Sequence, residues 1–107
     1  FMEALSMDII GRLQKAQESI GNERNAKIMF DIQDYHISPK DGARLAKKAN
    51  VKHLVFYHLA PAPVISLMAE VFTRGVDEIF NDFTLADDGT HVVLPKDSKE
   101  IKISNIN

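Results

Sequence analysis

Two of the chain's four histidines occupy positions from which an imidazole could do chemistry. His36 lies in a polar loop beside Asp34 and Tyr35, immediately before Ser38-Pro39-Lys40-Asp41. A carboxylate near an imidazole orients it and favours its protonated form, which is what a general acid requires. A loop histidine that only helps a helix to start would have the same neighbours. His58 follows the apolar run Leu54-Val55-Phe56-Tyr57, and alternation along a strand would put it on the face of Leu54 and Phe56. Ligands of α/β sheets gather outside the carboxyl ends of strands, so an imidazole there is placed to bind a metal. It is equally placed to cap a strand end. His53 and His91 sit at strand edges and read as exposed, while Asp31, Asp34, Asp87 and Asp88 are accounted for by loop and turn chemistry. No Gly-rich phosphate loop, HExxH pair or GxSxG elbow occurs.

The elements that must position these residues are marked by their caps. Ser6 as N-cap, Asp8 in the first turn and apolar residues at Ile9, Ile10, Leu13, Ala16 and Ile20 predict a helix over 7–20, closed by Gly21. Asn22 can cap a second helix reaching Ile32, with Ala26, Ile28, Met29 and Ile32 inward; a strand over 27–32 is the rival reading. Ser38, with Pro39 at the first helical position and Asp41 two residues later, starts a helix to about Ala49, with Ala43, Leu45, Ala46 and Ala49 inward. Residues 52–58 then read as a strand buried on both faces. Pro61 and Pro63 end it, and Val64, Leu67, Met68, Val71 and Phe72 form a helical stripe assigned to the core, with a further turn over 76–80. Asp87-Asp88-Gly89-Thr90 between 83–86 and 91–94 predicts a β-hairpin, and Ile101 and Ile103 a last edge strand.

The whole amounts to 107 residues, one domain's worth of chain, with 45% hydrophobic and 26% charged residues. A net charge of −2 leaves no electrostatic footprint for nucleic acid or an acidic membrane. The absence of cysteine excludes disulfides, thiolate metal sites and a thiol nucleophile. No apolar run approaches the roughly 18–20 residues that cross a bilayer, so the expectation is a soluble chain, cytoplasmic or periplasmic. It opens Phe1-Met2-Glu3 and reads as part of something longer.

Asp31-Ile32-Gln33-Asp34-Tyr35-His36-Ile37-Ser38-Pro39, Gly42-Ala43 to Val51, and Leu54 to Leu59 continuing into Ala60-Pro61 together resemble the C-terminal part of metallo-β-lactamase-fold hydrolases. The likeness is to the ribonuclease Z and arylsulfatase-like branch and runs from about Glu3 to Ile103. It implies the second half of an αββα sandwich, an α/β (α+β) fold with helices packed on a small mixed sheet and a C-terminal β-hairpin. It further implies that residues 1–107 are the C-terminal portion of a larger metallo-hydrolase domain. By the same resemblance His58 is a metal ligand in the Tyr-His-x-x-Pro context, and His36 assists proton transfer. Glu3 of Met2-Glu3-Ala4 helps hold the catalytic histidine, although Met2 stands where the family has histidine. The complete enzyme would use zinc or manganese on a phosphoester, sulfoester or similar ester. The HxHxDH motif and the remaining ligands are not in this sequence. The segment alone is therefore expected to be inactive, to bind no metal, and to cover its open surface with the missing N-terminal half or as a homodimer or domain-swapped assembly. The alternative is a non-catalytic interaction module that keeps the half-fold.

Overall fold

The computed structural model describes residues 1–107. The chain begins with a strand, β1 (Met2–Leu5), followed by helices α1 (Met7–Ser19), α2 (Glu23–Asp31) and α3 (Pro39–Ala49), then strand β2 (Leu54–Ala60) and helix α4 (Ser66–Phe72). Three short strands complete it: β3 (Phe83–Leu85), β4 (Thr90–Val93) and β5 (Lys102–Asn105). The class is mixed α/β.

The helix starts follow local chemistry. The Ser6 hydroxyl accepts from Ile9 N–H, the Asn22 amide oxygen from Asn25 N–H, and the Ser38 hydroxyl from Asp41 N–H, each satisfying a donor that the first helical turn leaves free. Gly21, at φ +75°, lets the chain leave α1 and enter the cap of α2 without a Cβ clash. α1 and α2 pack together as a helical pair. A single turn of 3₁₀ helix, Ile32–Asp34, then leads into the His36 loop.

The main sheet has the order β1-β2-β3 and is parallel throughout, which corrects the expected mixed sheet. A central parallel strand has to be covered on both faces, and Leu54, Val55 and Phe56 are accordingly all buried. The core groups Leu54 and Phe56 with Ala4 of β1, Ala43 and Ala46 of α3, and Phe72 and Val76.

The hairpin expected around Asp87–Thr90 does not form. The turn itself is present, with Thr90 N–H donating to the Asp87 carbonyl at 2.9 Å, but its flanks pair elsewhere: β3 with β2, and β4 antiparallel with β5. Phe83 and Leu85 pack against the core only when β3 lies beside β2, and burying two large side chains outweighs a short exposed ladder. The stripe over 64–72 is a second correction. Only Phe72 is buried; Val64 and Leu67 are 81% and 63% exposed, because α4 spans just two turns and rests on the core by its C-terminal end. Ile28, Leu45 and Ala49, also read as inward, are likewise exposed. The turn over 76–80 does form, with Phe80 N–H donating to the Val76 carbonyl.

α3 approaches the sheet through small residues. A Cβ on Gly42 would lie 2.8 Å from Phe56 Cε1 and 3.4 Å from Met2 Sδ. Phe56 is fully buried and cannot yield, so Gly42→Ala is expected to cost about 1–3 kcal/mol despite alanine's better helix propensity. Urea unfolding measures this, and an unchanged midpoint would count against the close approach. At the start of α3, the Ser38 hydroxyl and then the Arg44 guanidinium hold the Asp41 carboxyl below its ordinary value of 3.8. A depressed carboxyl stabilises the fold above its unfolded pKa and loses that contribution as the pH falls through the folded one. Asp41→Asn should therefore flatten the acid limb of stability as the pH falls through and below 3.8, as read by thermal melts at stepped acid pH.

Candidate functional site

β1, α3 and β2 bring together Glu3 and His36, and set His58 on the neighbouring strand. The Glu3 carboxylate takes two bonds from the loop ahead of α3. His36 Nδ1 lies 2.9 Å from Oε2, and Ile37 N–H donates to Oε1 at 3.2 Å. Leu5 N–H donates to the Ile37 carbonyl at 2.8 Å, so both sides of the Ile37 residue are fixed to β1. The next residue, Ser6, sends its N–H to Ala60 of β2, so β1 joins the loop on one edge to the sheet on the other. The pair is partly shielded, with side-chain exposures of 24% for His36 and 29% for Glu3. The Tyr35 ring stands 5.0 Å from the imidazole, centre to centre. With Nδ1 facing a carboxylate, the tautomer that protonates Nδ1 leaves Nε2 as the group able to take up or deliver a proton.

His58 is reached differently from the expectation. The β1–β2 register runs Met2↔Phe56 and Glu3↔Tyr57, then skips to Ala4↔Leu59. His58 is the extra residue of a β-bulge, and its φ of +46° is left-handed, unusual for a residue with a Cβ. The alternation that would have put it beside Leu54 and Phe56 is reset, Leu59 packs against the core in its stead, and His58 is exposed.

Two details were not foreseen. β1 itself was not expected, and with it came Tyr57, directly across from Glu3 in the register and about half exposed. His53 is not simply exposed; its Nε2 lies 2.8 Å from Thr84 Oγ1 and ties β2 to β3. His91 is exposed on β4, as read. No three of the His, Asp and Glu side chains converge into a group that could hold a metal ion. No helix is long and apolar enough to cross a membrane. Comparison with family models, curated proteins and solved structures finds no match to this chain.

The bulge makes a stability prediction. A left-handed residue with a Cβ costs about 1–2 kcal/mol, while glycine adopts that conformation freely and gives back roughly 0.5–1 kcal/mol in chain entropy. His58→Gly should thus match or exceed the parent in denaturant midpoint. His58→Val, β-branched and ill suited to positive φ, should lose about 1–2 kcal/mol; equal stability of the valine variant would contradict the bulge.

Proposed function

We propose that this chain is the C-terminal part of a metal-dependent hydrolase of the metallo-β-lactamase fold, acting on a phosphoester, sulfoester or similar ester. In this reading the chain contributes one wall of the active site. The observation that carries the proposal is the Glu3 clamp: a carboxylate on the first strand orients His36 and fixes the backbone leading into a capped helix. That arrangement suits a histidine that must present Nε2 to a leaving group in a reproducible geometry.

His58, held out of the sheet by the bulge with no hydrogen bond to its ring, is the residue free to ligate a metal. The other ligands would come from the HxHxDH-bearing half, which would cover the sheet side of this chain. Bound zinc or manganese would supply the Lewis acid that polarises the ester. The groups of this chain have simpler tasks: Glu3 holds the imidazole and His36 moves the proton.

The competing reading, a non-catalytic interaction module, draws on the size of the exposed surface. Zinc titration of the full protein carrying this segment separates the two. The hydrolase reading expects His58→Ala to lower metal affinity by about tenfold or more, or to remove one ion per chain. It also expects Glu3→Gln to leave metal binding intact while slowing ester hydrolysis. Unchanged stoichiometry and affinity in His58→Ala would sink the ligand assignment and leave the module.

A further inference from the structure

A proton delivered from His36 Nε2 fixes where the departing half of an ester must be. Donor and acceptor have to come within about 3 Å of each other, so the leaving-group oxygen lies against the imidazole and whatever it carries begins one bond further out. Glu3 already occupies Nδ1, which leaves a substrate only the rest of the imidazole to approach. The aromatic ring beside that space is Tyr35. Its centre stands 5.0 Å from that of the imidazole, with the two planes tilted at 43°.

Nothing in the packing of the chain accounts for an aromatic residue there. Tyr35 is 68% exposed, so the core gains little from it. It lies between the 3₁₀ turn that ends at Asp34 and the helix that begins at Pro39. The loop is fixed without its ring: Glu3 bonds to His36 and to Ile37 N–H, and the Ile37 carbonyl accepts from Leu5.

Resting on the hydrolase reading, we infer that Tyr35 is a specificity-determining residue whose ring is the surface against which the leaving group lies. It selects leaving groups that are flat and joined directly to the departing oxygen. Two aromatic rings attract each other when their centres are about 4.5–7 Å apart, a spacing within reach of a ring bonded to an oxygen held at Nε2. Contact with a ring face is indifferent to the hydrogen-bonding pattern of the partner, so Tyr35 discriminates by shape, flat over branched.

Hydrolysis of phenyl and hexafluoroisopropyl esters, of phosphate and of sulfate, by the full protein carrying this segment tests it, since these leaving groups are similar in acidity and differ in flatness. Tyr35→Ala is expected to lower the phenyl-to-hexafluoroisopropyl ratio of kcat/KM by about three- to tenfold. Tyr35→Phe, which keeps the ring, should hold that ratio within about twofold of the parent. A role confined to steadying His36 would slow both esters alike. A ratio unchanged in Tyr35→Ala, or lowered as far in Tyr35→Phe, therefore overturns the inference. Phenylphosphonate and methylphosphonate, which are not hydrolysed, give a readout apart from turnover. NMR signals of the Tyr35 ring, assigned by their loss in Tyr35→Phe, should shift with the phenyl compound and much less with the methyl one; equal shifts, or none, count against the contact. The hydrolase reading fails separately, when Glu3→Gln slows neither ester. Because Tyr35 is exposed, its variants leave the core untouched.

Discussion

The contact between Gly42 and Phe56 is the constraint on which the rest of the structure depends. Phe56 is the largest fully buried side chain, and α3 lies against it through Gly42, Ala43 and Ala46. Small residues at that contact let the helix backbone come close enough to seal the sheet with few side chains, which matters when only 14 of 107 residues are buried. The placement of α3 then decides where its N-terminus lies. Since Ser38 caps that end and Ile37 bonds to Leu5, the loop carrying His36 is carried to β1 as a consequence of core packing.

At that point packing gives way to polar geometry. Glu3 is on a strand in which Ala4 and Leu5 are wholly buried, yet its own carboxylate remains partly exposed and accepts from both an imidazole and a backbone N–H. Buried apolar neighbours fix the strand, and the strand fixes the carboxylate. A site built on such an element holds its side chains more closely than one built on a free loop. The bonds at the end of the strand, to Ile37 on one edge and Ala60 on the other, tie the loop to the sheet.

What was legible beforehand follows from the range of the interactions involved. Helix starts at Ser6, Asn22 and Ser38 depend on groups within three residues, and all three were readable. The pairing of β1 with β2 joins Glu3 to Tyr57, and nothing in four residues, Met2-Glu3-Ala4-Leu5, announces so distant a partner. The Asp87–Thr90 turn illustrates the same limit from the other side. Its local bonds formed as the residues require, but which strands pair was settled by Phe83 and Leu85 finding the core. For the candidate site, Glu3, His36 and His58 could all be named from the sequence. That Glu3 holds the histidine was implied by the resemblance, and His36 does lie against it; the strand β1 that carries Glu3 and the bulge at His58 were not readable, since both rest on pairing between distant residues.

The bulge shows how a local conflict can be resolved in favour of the core while leaving a polar residue displayed. With regular alternation His58 would fall on the face of Leu54 and Phe56, an imidazole against the apolar core, and Leu59 would face outward. Burying an unpartnered polar group costs on the order of 1–3 kcal/mol, comparable to the cost of one left-handed residue. The two costs are close, but only the bulge also gains the burial of Leu59 against the core. Packing alone thus accounts for why His58 is turned out at this place. It does not account for histidine being the residue turned out, since glycine or asparagine would hold the same φ with less strain. At a left-handed position where the side chain makes no hydrogen bond to the rest of the chain, the metal-ligand role proposed for His58 would supply the reason that packing does not.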